Sequence, residues 1–553
     1  MHVNLRASLL AMKLWRILAR YGGWRLLAAI VAGLGAGLAL AALMRLIHRA
    51  LTLPADAAGS AALEFVGLLL AYLFGTLIAQ QSLNDAAERL QWELRLRLLR
   101  QALAAPLRQL ERTGFPRLMT LLGSDVRQLA DYLCGLPDSV VNLAIAVGCF
   151  VYMAWLSPPV FVFNVVFIAL AAACYLVPER AAQRIYRRAA TAWDKHIGQL
   201  TYALQGLRSL LLSRPRRRDF VEGHFGPTGG VVREFTRRSR FIHVLAERGA
   251  EAMVLGNVAC LLFVLPRFVD LPIATTTGLL LAAIFARQPL KDSLDILPRT
   301  QRARVAIDRM HEAGLDPFVE TPPEPLGPAP GENGEFRELA LEQVTFRYEP
   351  DHEQSGFACG PFTFRIRAGE IVFVVGGNGS GKTTLAKLLC GLYPPESGRI
   401  LLDGQPITDE AGRAGQRARF AAVFPGDPLF EHVLGRAPAE AEQRGGALLR
   451  ELRLDHKVVL RGTEFSTTDL SQGQRRRLVL LGALLEERPV LLLDEWAADQ
   501  DPEFRIFFYD QIVPELRARG RTLILITHDD RYFNRADRVL KLEGGALVDN
   551  GAA

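Results

Sequence analysis

The sequence predicts an α-helical, membrane-spanning domain followed by a soluble α/β domain. Half of the 553 residues are hydrophobic and the mean hydropathy is +0.14, although 22% of the residues are charged. The apolar residues crowd into residues 24–288, whereas short β-rich runs alternate with helical segments from about Glu335 onward. A segment rich in proline, glycine and acidic residues separates the two regions and is typical of a linker. We therefore expect a membrane domain over 1–313, a linker over 314–334 and an α/β domain over 335–553.

Six apolar stretches are each close to the roughly 20 residues needed to cross about 30 Å of hydrocarbon. A buried helix of a soluble protein is seldom apolar on all sides for this length, so we interpret the stretches as membrane spans. They lie at about 24–45, 61–81, 136–156, 159–177, 246–268 and 272–289. The basic N-terminus runs into the first span without a small-residue cleavage site, so no removable signal peptide is predicted.

Positive charge is concentrated in two long connections between the spans, residues 82–135 and 178–245. The short connections near 49–60, 157–158 and 269–271 are nearly free of lysine and arginine. The positive-inside rule therefore places both termini and both long connections of this multi-pass protein in the cytoplasm. The formal net charge of +7 does not indicate nucleic-acid binding, because no aromatic stacking pattern accompanies the arginines.

The second long connection carries an apolar stripe with alternating steps of four and three residues. This period predicts that a membrane helix continues into the cytoplasm and packs there through one face. The stripe comprises Trp193, Ile197, Leu200, Leu204, Leu207 and Leu211. Within the predicted spans, Asn142, Asn164 and Asn257 are costly unless they are paired or face water. They could line a polar path or bond between helices, and both interpretations stay open.

A phosphate-binding loop follows the first buried strand of the α/β domain, which we predict over Ile371–Val375. Residues 376–384 match the pattern G-x4-G-K-[ST], in which glycines let backbone N–H groups turn toward phosphates. Lys382 can reach the β- and γ-phosphates, Thr383 can ligate Mg²⁺, and the helix that starts near Lys382 adds its positive end. The predicted loop residues are Gly376, Gly377, Asn378, Gly379, Ser380, Gly381, Lys382, Thr383 and Thr384.

Two further apolar strands end in polar residues that could act on a bound nucleotide. Val490–Glu495 ends in two acids, of which Asp494 is placed to hold Mg²⁺ and Glu495 to polarise an attacking water. Thr522–Thr527 delivers His528 at its end. A lone histidine is usually structural, but we expect this one, at the edge shared with the other two strands, to contact the γ-phosphate.

Between the phosphate loop and the acidic strand, Leu470-Ser-Gln-Gly-Gln474 begins a helix. With the other motifs in this order, residues 338–548 resemble the ABC ATPase family, in which L-S-x-G-Q is the signature. The resemblance implies that the cofactors are ATP and Mg²⁺, that Tyr348 stacks on adenine and that Asp501 ends the D-loop. It also implies that the signature meets ATP bound by a second copy, through Ser471, Gln472, Gly473 and Gln474.

With six spans in front, the chain resembles an exporter-type half-transporter: an all-α six-helix transmembrane domain fused to an α/β P-loop ATPase. The resemblance implies a homodimer that hydrolyses ATP, with Glu495 and His528 as catalytic residues. Asp494-Glu-Trp-Ala-Ala-Asp-Gln-Asp501 and His528-Asp-Asp-Arg-Tyr-Phe533 further resemble the cyclic-peptide and siderophore exporter subgroup. That subgroup implies export of a cyclic peptide, lipopeptide or peptide siderophore across the bacterial inner membrane, with membrane lipid as a further partner and no nucleic acid.

Other functions remain compatible with these motifs. An importer of a metal–siderophore complex would share them, and so would a lipid flippase. A cassette that gates a channel or acts as a regulatory binding module is a further alternative, against which the intact Glu495 and His528 count. The pattern also departs from the family at Pro425, where most cassettes carry the Q-loop glutamine. Either Asp427 substitutes for the glutamine, or the coupling between nucleotide and membrane domain is unusual.

Overall fold

The computed structural model describes residues 2–50, 58–268, 272–319, 335–348 and 356–552. It divides into two compact units, Met1–Ala105 with Gln109–Pro322 and Pro106–Arg108 with Pro323–Ala553. The linker expected over 314–334 lies mostly outside the described residues. The domain limits 1–313 and 335–553 therefore stay predictions.

Up to residue 319, the described chain consists of helices and the turns between them. The helices are α1 (His2–Ala50), α2 (Ala58–Ala104), α3 (Leu107–Thr113), α4 (Phe115–Thr120), α5 (Val126–Leu156), α6 (Pro158–Gln205), α7 (Leu207–Leu212), α8 (Arg214–Arg218), α9 (Gly226–Ala259), α10 (Ile273–Leu294) and α11 (Ile296–Glu312). Single π-helical segments lie at Leu121–Asp125, Asp219–Phe225 and Cys260–Val264, and a 3₁₀ turn lies at Leu265–Arg267.

The six predicted spans coincide with α1, α2, α5, α6, α9 with its π-helical extension, and α10. Among the described residues, four helical segments are long and apolar enough to cross a membrane: Gly23–Ile47, Ser60–Ala104, Phe115–Leu156 and Pro158–Gln205. The stretches 246–268 and 272–289 are helical but are not among these four. The first carries Glu247, Arg248, Glu251 and Arg267, and the second carries Arg287 and three consecutive threonines; all of these residues lower the mean hydropathy.

Helices α6 and α9 pair along their length and are joined by polar contacts. Ser239 Oγ donates to the carbonyl of Ala182 at 3.0 Å, and Asn257 Nδ2 donates to Asn164 Oδ1 at 2.7 Å. Both asparagines are buried, whereas Asn142 is half-buried. Asn164 and Asn257 therefore bond between helices, which is the second of the two interpretations that the sequence left open.

The apolar stripe of α6 and α7 lies beyond the predicted span 159–177. The predicted continuation of the helix is confirmed, because α6 runs without interruption to Gln205. The packing predicted for the stripe is not found within the described chain, since its six side chains are between 37% and 64% exposed. The stripe from Trp193 to Leu211 spans about 27 Å at 1.5 Å per residue.

The second unit contains two main sheets. The larger has the order β12-β11-β3-β10-β9-β6 and is parallel except for β12, and the smaller is antiparallel with the order β2-β1-β4-β5. The strands are β1 (Glu338–Arg347), β2 (Ala358–Arg367), β3 (Ile371–Gly376), β4 (Ser397–Leu402), β5 (Gln405–Pro406), β6 (Phe420–Val423), β7 (Leu460–Arg461), β8 (Glu464–Phe465), β9 (Val490–Asp494), β10 (Thr522–Ile526), β11 (Arg538–Glu543) and β12 (Ala546–Ala552). The helices are α12 (Lys382–Leu389), α13 (Glu410–Arg417), α14 (Pro438–Glu451), α15 (Gln472–Leu485), α16 (Pro502–Phe507) and α17 (Val513–Ala518).

Three central strands of the larger sheet position the predicted motifs. In β9 and β10 every residue is buried, as is every residue of β3 before its last glycine. Such continuous apolar runs are typical of parallel strands covered on both faces. The three predicted strands are therefore confirmed, and their carboxyl ends lie side by side at one edge of the sheet, where α/β folds bind ligands.

Candidate nucleotide-binding site

The phosphate loop joins β3 to α12 through glycines with left-handed backbone. Gly376 has φ +154° and Gly381 has φ +97°. A β-carbon would lie 2.3 Å from the carbonyl oxygen of Leu542 at Gly376, and 2.8 Å from Cys359 Sγ at Gly381. Larger residues would clash at both positions, so the glycines are required by conformation as well as by contact.

Ser380, Lys382 and Thr384 are the buried polar residues of this loop. Lys382 Nζ donates to the carbonyls of Gly376 at 3.0 Å and Gly377 at 3.1 Å, and the lysine is only 6% exposed. Ser380 Oγ is buried and has no hydrogen-bond partner among the described residues. Gly377, Asn378 and Gly379 are exposed at the tip of the loop. A buried ammonium and an unsatisfied hydroxyl beneath an exposed glycine loop fit a phosphate ligand.

Thr383 and Asp494 meet where β9 ends. Thr383 Oγ1 donates to Asp494 Oδ2 at 2.8 Å. The other carboxylate oxygen, Asp494 Oδ1, is buried without a hydrogen-bond partner in the part of the chain that the structure describes. Burial raises the pKa of Asp494 above its ordinary value. The Thr383 hydroxyl and the Lys382 charge act in the opposite direction but only partly offset the burial. A buried carboxylate with an unused oxygen beside a hydroxyl is a donor set that suits Mg²⁺.

Glu495 and His528 are brought together by the ends of β9 and β10. His528 Nε2 lies 2.9 Å from Glu495 Oε1, and Lys382 Nζ lies 3.7 Å from the same oxygen. Glu495 has left-handed backbone, with φ +49° and ψ +29°, and its N–H donates to the carbonyl of Ile526 at 3.0 Å. An uncommon conformation at a non-glycine residue is typical of functional sites.

Tyr348 follows β1 and lies next to the phosphate loop. Its hydroxyl is 3.1 Å from Thr384 Oγ1, and its ring packs edge-on against Phe346 at 5.1 Å between centroids. The ring is half-buried. The location fits a residue that contacts the base, and stacking on adenine stays a prediction.

The signature motif forms the start of α15. Ser471 caps the helix and forms a capping box with Gln474: Ser471 Oγ accepts from the Gln474 N–H at 3.5 Å, and Gln474 Oε1 accepts from the Ser471 N–H at 3.3 Å. Ser471 and Gln472 are exposed, whereas Gly473 is half-buried. Two of the four predicted signature residues therefore also have a local structural role.

Asp501 caps the short helix that follows the D-loop. Its Oδ1 accepts the N–H of Phe504 at 2.8 Å, and its Oδ2 lies 2.5 Å from Arg477 Nη2. The Phe504 N–H, followed by the charge of Arg477, lowers the pKa of Asp501. The sequence analysis did not identify Arg477 or its neighbour Arg476. The signal was present, because three consecutive arginines follow the signature and two acids lie near the end of the 494–501 motif.

The segment at Pro425 is a tight turn after β6. Gly426 has φ +84°, and the Asp427 N–H donates to the carbonyl of Phe424 at 3.3 Å, so proline and glycine fill the two central positions of a type II turn. Asp427 Oδ2 accepts the N–H of Phe424 at 2.7 Å. Burial raises the pKa of Asp427 above its ordinary value. The Phe424 N–H and the Arg476 charge act in the opposite direction but only partly offset the burial. One oxygen of this carboxylate is therefore committed to the turn.

Replacing Asp427 with alanine is expected to destabilise the turn but to leave the Mg²⁺ dependence of ATP hydrolysis unchanged. Loss of the acceptor for the Phe424 N–H should cost about 1 kcal/mol, or about 2–4 °C in the midpoint of thermal unfolding. Asparagine can accept the same bond, so Asp427→Asn should unfold at the wild-type temperature. A rise in the Mg²⁺ requirement in both variants would instead show that the carboxylate replaces the missing glutamine.

Comparison with known proteins agrees with this geometry. The ABC transporter family model matches residues 359–498, and the model of the ABC transporter transmembrane region matches residues 26–212. ATP-binding protein SyrD of Pseudomonas syringae pv. syringae is 36% identical over 480 residues, which are 84% of this chain and 83% of SyrD.

Other relatives differ in the activity that their names state. An ATP-dependent lipid A-core flippase of Ralstonia nicotianae is 32% identical over 50% of this chain and 47% of its own. Mycobactin import ATP-binding/permease protein IrtB of Mycolicibacterium thermoresistibile is 26% identical over 68% of this chain and 64% of its own.

A solved bacterial Atm1-family ABC exporter with ATP bound has a TM-score of 0.68 and 20% identity, and the match covers 97% of this chain and 95% of the exporter. The exporter fold expected from the sequence is therefore confirmed. Because two family models match and the identity to SyrD extends over most of both chains, the protein belongs to the ABC transporter family, as an ATP-hydrolysing translocase.

Proposed function

We propose that this transporter exports a cyclic peptide, a lipopeptide or a peptide siderophore across the bacterial inner membrane. The observation that carries the proposal is the extent of the similarity to SyrD, which covers 84% of this chain at 36% identity. The similarity to the Ralstonia flippase covers 50% of the chain. The 494–501 and 528–533 motifs, which resemble the cyclic-peptide and siderophore exporter subgroup, point the same way.

A cavity in the first unit is large enough for a peptide-sized substrate. Its volume is about 1590 Å³, above the roughly 300–1,000 Å³ of typical small-molecule pockets. Aromatic side chains such as Trp193 and Tyr186 line it together with Arg233, Arg240 and Asp308. Aromatic and charged groups on one surface suit a peptide, which presents both ring and amide chemistry, better than they suit an acyl chain.

The cassette residues act on ATP in distinct ways. The phosphate loop and Lys382 bind the phosphates, and Glu495 polarises the water that attacks the γ-phosphate. His528, at 2.9 Å from Glu495 Oε1, is placed to orient that carboxylate, and its contact with the γ-phosphate stays a prediction. Thr383 and Asp494 would hold Mg²⁺, which neutralises charge on the phosphate oxygens when it is bound.

The working unit in this proposal is a homodimer with both termini of each protomer in the cytoplasm. The exposed signature residues Ser471 and Gln472 are available to cap a phosphate loop on a second copy. The part of the apolar stripe that does not line the cavity, Leu200, Leu204, Leu207 and Leu211, gives independent support. It lies outside the predicted span, so lipid does not cover it, and exposed apolar surfaces of this extent mark protein contacts.

Import of a metal–siderophore complex is the second candidate, and the similarity to IrtB, which is named for mycobactin import, is the observation that favours it. It is the weaker candidate because that similarity is 26% over 68% of the chain, against 36% over 84% for SyrD. Lipid transfer is a third possibility, which the Ralstonia flippase represents.

The test is deletion of the gene and complementation with either the wild type or Glu495→Gln, each at matched membrane abundance. Mass spectrometry then compares peptides and siderophores in the cells and in the medium. We expect one peptide family to vanish from the medium, accumulate in the cells and be restored only by the wild type. Retention of a metal chelate in the medium would show import, and an altered lipid distribution with unchanged peptides would show lipid transfer.

A further inference from the structure

Four polar side chains join the signature helix to the segment that follows the catalytic strand. We call this group the signature clamp: Arg476, Arg477, Asp499 and Gln500. The first two lie in the second turn of α15, two and three residues after the signature, and the other two lie between Glu495 and Asp501. The clamp thus connects the residues expected to meet a partner's ATP with the residue expected to activate water at the chain's own ATP.

Arg476 holds the backbone carbonyls of Glu495 and of the residue that follows it. Its Nη1 donates to the carbonyl of Glu495 at 2.9 Å and approaches that of Trp496 at 3.4 Å. Its Nε lies 2.9 Å from Asp499 Oδ2. The buried indole of Trp496 donates back to the carbonyl of Arg476 at 2.9 Å. Helix and loop are therefore fastened in both directions at this point.

Arg477 fastens the same two elements one residue further along. Its Nε donates to Gln500 Oε1 at 2.9 Å, and the Nε2 of Gln500 donates to the carbonyl of the signature residue Gly473 at 3.2 Å. The guanidinium stacks 3.4 Å above the ring of Phe504. A β-carbon at Gly473 would lie 2.9 Å from the carbonyl oxygen of Asp499, so the signature itself touches the loop.

Glu495 needs such support because its backbone is left-handed, a conformation that a β-carbon disfavours. Its N–H is held by Ile526 and its carbonyl by Arg476. A guanidinium is a strong donor here, since its charge strengthens the bond to a carbonyl. The direction of the Glu495 side chain, and hence its 2.9 Å contact with His528, depends on this backbone.

We propose that Arg476 is a positioning residue for Glu495, acting through the Glu495 carbonyl that it holds at 2.9 Å. The inference rests on the proposed role of Glu495. Arg476 bonds to the carbonyls of Glu495 and Trp496 and to Asp499, so it acts on the carboxylate through the backbone. Its loss should therefore slow the chemical step without weakening ATP binding.

The test compares purified full-length Arg476→Gln and Asp499→Asn with a matched control, Arg475→Gln. Arg475 is exposed and its Nε donates to the carbonyl of Thr468 at 3.1 Å, away from the clamp. We expect kcat for ATP to fall about tenfold in Arg476→Gln with KM within about twofold, which is the split expected for a transition-state effect. Asp499→Asn should lower kcat less, because both carbonyl contacts of Arg476 remain, and Arg475→Gln should match the wild type.

A second measurement uses the Glu495→Gln background, in which ATP-dependent closure of the dimer is read without hydrolysis. Adding Arg476→Gln should leave the closed fraction unchanged. The positioning role would be overturned by any of three results. These are loss of dimer closure, a rise in KM that accounts for the whole defect, and a kcat equal to that of Arg475→Gln. Wild-type turnover in Glu495→Gln alone would instead remove the proposed role of Glu495, so the two failures are distinguishable.

Discussion

Glu495→Gln is expected to lower the turnover number for ATP by about 10²–10⁴-fold, the usual contribution of general-base catalysis. The amide cannot polarise the attacking water, but it is close in size and leaves Lys382 and the phosphate loop in place. ATP should therefore bind with wild-type affinity and accumulate in a closed dimer. Single-turnover hydrolysis and size-exclusion chromatography with radiolabelled ATP measure the two effects separately.

His528→Gln is the matched comparison for this experiment, because it removes the partner 2.9 Å from Glu495 Oε1 but leaves the carboxylate. It should lower turnover less than Glu495→Gln does. If Glu495→Gln turned over ATP at a rate near wild type, Glu495 would not be the residue that activates water. If turnover fell without formation of a closed dimer, the homodimer would be the part of the proposal that fails.

Lys382→Ala is expected to weaken ATP binding by about 10- to 100-fold, because charge-assisted hydrogen bonds contribute about 1.5–3 kcal/mol each. Lys382 is buried and its Nζ donates to two loop carbonyls, so its loss removes both the positive charge that binds the phosphates and a hydrogen-bonded support of the loop. Equilibrium titration of the full-length protein with a fluorescent ATP analogue gives the Kd.

Lys387→Ala serves as the control for this measurement, since Lys387 lies in the same helix, with its Nζ 3.3 Å from the hydroxyl of Tyr393. It should bind ATP with wild-type affinity. Equal weakening in both variants would mean that the effect comes from α12 as a whole and would contradict a specific contact between Lys382 and phosphate.

The sequence predicted the cassette well because its motifs combine local chemistry with local geometry. The runs at 371–375, 490–493 and 523–526 are apolar throughout, which is typical of a strand buried on both faces. Gly376 and Gly381 have positive φ, which favours glycine, so the spacing of these glycines identified the phosphate loop. The rule that parallel strands end at one edge of the sheet placed Glu495 and His528 at the same edge, whereas the 2.9 Å contact between them is a finding of the structure.

Long-range side-chain pairing could not be predicted in the same way. The three consecutive arginines after the signature and the acids of the 494–501 motif showed that ion pairs could form, but not which side chains pair, because Asp499 and Gln500 lie more than 20 residues from Arg476 and Arg477. The pairing of Asn164 with Asn257 across two helices was one of two open interpretations for the same reason. The turn at Pro425 depends only on neighbouring residues. The Pro-Gly dipeptide, which departs from the family pattern, already indicates a tight turn in the sequence.

The exposed stripe on α6 and α7 also has a consequence for biogenesis. In the proposed homodimer with cytoplasmic termini, a newly synthesised protomer would expose this apolar surface of about 27 Å to the cytoplasm until it meets another copy. Chaperones and proteases act on such surfaces, so dimerisation competes with degradation. The rate at which two copies meet in the membrane rises with the square of the protomer density, whereas the rate of degradation rises in proportion to that density. The steady-state amount of assembled transporter should therefore rise more steeply than the rate of synthesis, and weak expression should yield disproportionately little protein.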